Sequence, residues 1–300
     1  MTSLLTTFQQ LLLFSATVLV TGCVAWRLIV QPRALTDVYA GASQGAVSDG
    51  SAEARVRAIA LVAAIAVTVG WLLRGVVQLI AFRDPFVPIG EDIDLLLFQT
   101  FWGTVWMVQG GVVVLLALAI VLAGRAEAAW KAAGLLVLAL AGTLAASGHA
   151  MGADSGRAIA LTADGLHVLT AGTWIGTLTV ILLTVGAAGV DTAFFAAQLR
   201  RFSPLALVSG STLVAMGFVL SWTHLTAVSD LWTTGYGRIL SAKAGLAFLV
   251  LGLGALNWQR GLPTLDSAEG ASTVRRRAAG EVGIAFGVLV LTAILVHSTK

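Results

Sequence analysis

SGHAMGADSGRAIALTADGLHVLTAGTWIG, residues Ser147 to Gly176, is the stretch whose reading decides the fold. A short polar turn, Gly152 to Arg157, interrupts it, and apolar sequence continues on either side. The runs are long enough for helices, and the polar turn is the joint between two of them. Inside the second run stand Asp164 and His167, three residues apart and so on one helical face. Trp174 follows seven residues after His167, on roughly the same face. Ionisable groups inside an apolar helix are costly and mark functional positions by default.

The whole chain has the same character. Hydrophobic residues make up 58% of it and charged residues 11%, against about 25% charged in soluble domains. The apolar runs suit helices, and the ~10-residue alternating segments of a membrane barrel are absent. The 33 glycines fit close helix packing. The predicted fold is all-α, a polytopic membrane bundle forming one integral domain over residues 1–300, with no soluble domain. Eight spans are expected, at Phe8–Val30, Val56–Phe82, Leu95–Ala123, Trp130–Gly148, Ala158–Ala187, Phe202–Thr223, Tyr236–Trp258 and Ala279–Val296. Gln31–Arg55 reads as a mobile polar loop and Leu262–Arg277 as a polar linker. Val20-Thr21-Gly22-Cys23 faintly resembles a lipoprotein cleavage site. No basic residue precedes the apolar run, so it reads as a retained first helix.

Lysine and arginine placement sets the orientation. Twelve of the 18 fall at one set of loop ends and four at the other, with Arg74 and Lys243 inside spans. The richer side is the cytoplasm, so both termini face outward, to the periplasm. On that reading His149, His224 and His297 reach the outer rim. His167 lies nine residues into its span, about 13 Å deep at ~1.5 Å per residue. Asp164, Arg74 and Lys243 share the outer half.

His149, Met151 and His167, with His224, form the candidate metal site, because imidazole and thioether suit copper, Cu(I) above all. Asp164 is placed to accept from the His167 ring and orient it. Arg74 or Lys243 is placed to neutralise Asp164, and Lys243 can snorkel outward. Met107 and Met216 are candidates for a transport path, weighed against ordinary packing. Cys23 is weighed as an exit ligand against a buried thiol, and His297 against a frayed terminus. Asp84, Glu91, Asp92 and Asp94 form an acidic rim able to attract cations, or a solvated face. P-loop, kinase and HExxH motifs are absent, so neither an enzyme nor an ATP-driven pump is expected. The dispersed charge of +3 does not point to nucleic acid. Two other readings stay open: histidines on neighbouring helices can ligate haem b, and Gly172 with Gly176 forms a GxxxG pair suited to assembly with a larger membrane complex.

The chain resembles the CopD family of bacterial inner-membrane copper resistance and uptake proteins. SGHA (147–150), DGLHVLTAGTWIGTL (164–178), RFSPLALVSGSTLVAMG (201–217) and YGRILSAKAGLAFLVLGLGALN (236–257) carry the likeness, which is strongest over 135–296. The first four spans match mainly in number and hydrophobicity. The resemblance implies an eight-helix, multi-pass inner-membrane protein that handles copper beside a separate periplasmic copper-binding protein of the CopC type. By the match, His149, Asp164, His167, Trp174 and Lys243 occupy family-typical positions.

Overall fold

The computed structural model describes residues 2–31, 49–148, 156–185, 192–225 and 227–296. Among these residues there are helices and turns and no strand. Eight helices are long and apolar enough to cross a membrane: α1 (Leu4–Val30), α2 (Ala52–Phe82), α3 (Phe101–Leu122), α4 (Glu127–Ala146), α5 (Arg157–Thr184), α6 (Thr192–Trp222), α7 (Gly235–Thr264) and α8 (Ala268–Leu295). The chain is therefore a multi-pass membrane protein built as a helical bundle. The tail of Gln31–Arg55 and most of Leu262–Arg277 are helical. The helix carrying α2 begins at Asp49, and Ser267 caps α8 by accepting from the Gly270 amide. The run expected to start at Leu95 is broken: a helix over Ile89–Phe98 ends, and Thr100 caps α3 by accepting from the Gly103 amide at 2.9 Å. Hydropathy alone misses these edges, because caps and polar helical extensions carry no apolar signal.

α1 is the axis. It packs against α2, α4, α5 and α8, and 61% of its most apolar window is buried, against 6% for α7. Missing side chains allow the tightest crossing. A Cβ on Gly176 of α5 would stand 2.1 Å from the Val18 carbonyl oxygen, and one on Gly22 would stand 2.1 Å from the Gly176 carbonyl carbon. Gly172 meets Thr21 in the same way. The Gly172–Gly176 pair is thus used within the chain, to seat α5 on α1.

α2 and α3 are joined by a reciprocal clasp. Trp71 Nε1 donates to the Trp106 carbonyl at 3.0 Å and Trp106 Nε1 to the Trp71 carbonyl at 3.1 Å. The rings stack with centroids 4.5 Å apart. Each ring lies on a glycine of the other helix, Trp71 on Gly110 and Trp106 on Gly75. The same W-x-x-x-G spacing occurs in both helices, and a glycine one turn after each tryptophan leaves the room.

Four arginines at one set of helix ends are engaged with neighbouring elements. Arg27 pairs with Glu53 at 3.2 Å, Arg55 donates to the Thr184 carbonyl at 3.1 Å, and Arg200 pairs with Asp266 at 2.8 Å. The Arg57 guanidinium lies against Gly124.

Candidate metal-handling site

His167 stands ten residues into α5, where α5 packs on α6. Its Nδ1 is 3.2 Å from the Leu213 carbonyl oxygen of α6. A carbonyl only accepts, so in the neutral ring Nδ1 carries the hydrogen and Nε2 keeps its lone pair. That is the usual state of a metal-binding histidine, one nitrogen anchored to a carbonyl and the other available. The ring lies over Gly217, where a Cβ would stand 3.5 Å from His167 Cε1.

The hydrogen bond at Nδ1 goes to the Leu213 carbonyl. Asp164, one turn earlier on α5, shares its face with His167. Its Oδ2 lies 3.6 Å from where a Cβ on Gly148 would stand, at the end of α4. Lys243 of α7 is close enough for its charge to act on both Asp164 and His167. Arg74 donates from Nη1 to Ser147 Oγ and from Nη2 to the Ser147 carbonyl, each at 2.8 Å. Both cations thus stand near Asp164, since Ser147 directly precedes Gly148. The ends of α4, α5, α6 and α7 bring a histidine, a carboxylate and an ammonium to one level, with Arg74 of α2 holding the residue just before the SGHA glycine.

Trp174 lies deeper on α5, inside a π-helical turn over Gly172–Gly176, and is 6% exposed. Its ring fills the space left by two glycines, Gly210 of α6 and Gly254 of α7, at 3.4 and 3.5 Å from their Cβ positions.

His149, Met151 and His297 lie outside the described residues, as does the side chain of His224. Among the described residues no group of three or more His, Cys, Asp or Glu could hold a metal ion. Met107 lies on the outer surface of α3 beside the Trp71–Trp106 clasp, and Met216 is half-buried on α6. α3 packs on α2 and α4, whereas α6 packs on α5 and α8, so the two methionines belong to different helix pairs. Cys23 is fully buried in α1. Much of the acidic rim is tied down internally. Asp92 is buried and pairs with Arg83 at 2.5 Å, Asp84 accepts from the Phe86 amide, and Asp94 accepts from Gln99.

Glu281 and Asn257 were not among the sequence candidates. Glu281 on α8 is 3% exposed, and Asn257 of α7 donates to it. The available signal was the lone carboxylate in the last apolar run. With that run taken to start at Ala279, Glu281 sits at its edge, where an acid needs no explanation.

Two family models match the sequence. The one described as Copper resistance protein D-like, N-terminal domain, covers residues 1–159, and Copper resistance protein D covers residues 196–295. The likeness therefore extends fully over the first four spans. Asp164, His167 and Trp174 fall between the matched segments, and Lys243 falls within the second. The chain is 28% identical over 205 residues to the Copper transport protein CutJ of Bacillus subtilis (strain 168), covering 66% of this chain and 37% of that protein. To the Copper resistance protein D of Pseudomonas syringae pv. tomato it is 29% identical over 218 residues, 67% of this chain and 69% of that protein. The chain thus spans little more than a third of the length of the Bacillus relative. No solved structure matches.

Proposed function

The chain belongs to the copper resistance protein D family, and from that premise we propose that it carries copper across a bacterial inner membrane, entering at the end of the bundle that holds His167. The observation that carries this reading is the His167 ring, anchored through Nδ1 to a backbone carbonyl with Nε2 left for a ligand. His149, Met151 and His224 complete the donor set, supplying imidazole and thioether for a soft copper ion. Asp164 offsets the charge of the incoming ion and Lys243 offsets Asp164 while the site is empty of cargo. Trp174 closes the way inward beyond His167, and Met107 and Met216 serve, if at all, as later contacts along the path.

The end bearing Arg27, Arg55, Arg57, Arg200, Arg201 and Arg260 faces the cytoplasm by the charge rule, which turns both termini and the His167 end to the periplasm. A separate periplasmic copper-binding protein of the CopC type is the donor. Copper accumulation in cells tests the proposal. Cells making the wild-type chain accumulate more copper than cells without it, and His167→Ala removes the difference. Undiminished accumulation by the variant at equal protein level would exclude His167 from the path.

A further inference from the structure

Glu281 stands one turn beyond the exposed Arg275-Arg276-Arg277 triplet, with only 3% of its surface exposed. A carboxylate buried in apolar surroundings stays charged only when a cation or several donors balance it. Here the donor is Asn257, whose Nδ2 gives a hydrogen bond to Glu281 Oε1. A carboxamide is neutral and leaves a negative charge uncompensated. The helices packed on α8 carry Cys23 and Arg27 on α1, Arg200 and Arg201 on α6, and Tyr236, Arg238, Lys243 and Arg260 on α7. The part of α5 against α8, Thr177–Val185, carries no titratable group. Among the described residues none of these groups forms an ion pair with Glu281. Arg200 is spent on Asp266, and Lys243 lies 11 residues before Gly254 on α7, about 16 Å away along the helix.

Three further features mark the place. Asn257 opens a π-helical turn, Asn257–Gly261, and such turns recur at functional positions. Its Oδ1 is a buried acceptor with no hydrogen-bond partner among the described residues, a ready seat for a water molecule. Glu281 Oε2 and the Trp174 ring both approach Gly254, at 3.6 and 3.5 Å from that residue's Cβ position. Trp174, seven residues after His167 on α5, thus shares the Glu281 level.

We propose that Glu281, held by Asn257 at the level of Trp174, is a proton-exchanging carboxyl deeper in the bundle than His167, and that copper passage is coupled to movement of its proton. The coupling rests on the copper-transport reading above, whereas the proton site rests on burial and geometry alone. In the exchange the carboxyl O–H bond breaks, the proton passes to water at the basic end, and a carboxylate remains until it is reprotonated. No electron moves. Oxygen donors of this kind do not favour Cu(I), which is why the ligand assigned here is the proton.

Two measurements on the purified full chain separate the parts. Infrared difference spectra across a pH titration will show a carboxylic-acid carbonyl band that is absent from Glu281→Gln. This substitution keeps the shape and the acceptor for Asn257. Identical spectra from the two proteins would overturn the proton site. In vesicles with a copper gradient and an internal pH dye, the wild-type chain will move protons with copper, and Glu281→Gln will reduce proton movement to that of protein-free vesicles. Copper flux with unchanged proton movement in the variant would overturn the coupling. A wild-type chain that moves no copper overturns the transport reading and the coupling with it, and the infrared band then decides the proton site by itself.

Discussion

Replacing Gly176 by alanine adds one methyl group at the tightest point of the molecule. Its Cβ would stand 2.1 Å from the Val18 carbonyl oxygen and 3.0 Å from Gly22 Cα. Neither neighbour is a flexible side chain, so neither can turn aside. Real Cβ atoms hardly ever come within 3.0 Å of such a neighbour, so α1 and α5 must part by about 0.9 Å, a backbone shift of the kind overpacked cores make. The separation loosens Ile175 and Leu178, which are buried at this crossing. Overpacking of well-filled interiors costs about 1–3 kcal/mol and occasionally more. Because both obstacles are backbone, we expect the upper end of that range. Gly142→Ala on α4 is the internal control, since nothing lies within 4 Å of its Cβ position. There the exchange should alter stability by less than about 1 kcal/mol. Thermal unfolding in mild detergent, followed by tryptophan fluorescence, compares the two. Equal midpoints for Gly176→Ala and Gly142→Ala would refute the crossing geometry.

Gly217→Leu should push the His167 ring off the Leu213 carbonyl and abolish copper retention by the purified protein, whereas Gly217→Ala should be tolerated because its Cβ would make an ordinary 3.5 Å contact. Full copper retention by the leucine variant would contradict the placement of His167. Trp71→Phe and Trp106→Phe each remove one interhelical hydrogen bond while keeping a ring, so each should cost about 0.6 kcal/mol, the average for such bonds inside membranes. Their shared ring stack predicts a non-zero coupling in a double-mutant cycle, read from unfolding midpoints, and strict additivity would count against the clasp.

Apolar length made the eight spans legible from the sequence, and ionisable residues within them led to Asp164, His167, Arg74 and Lys243. Edges were less legible. Ser267 and Thr100 set helix starts through capping bonds that hydropathy does not register, and the late start assigned to the last span concealed Glu281. Pairing was less legible still. One turn of spacing placed Asp164 and His167 on a face, but it did not reveal that the ring's Nδ1 meets the Leu213 carbonyl of a distant segment or that Asp164 stands near Gly148. Likewise the Gly172–Gly176 spacing announced close packing without naming the partner, which turned out to be Thr21 and Gly22 of the same chain. Long-range partners of this kind depend on helix order in space, which a single sequence does not encode locally.

The central claim is that copper binds at His167, and elemental analysis of the purified chain after copper loading and desalting tests it most directly. The account predicts that the wild-type protein retains copper near one ion per chain and that His167→Ala, while still folded, loses it. Equal copper in both proteins, or iron in place of copper, would contradict it.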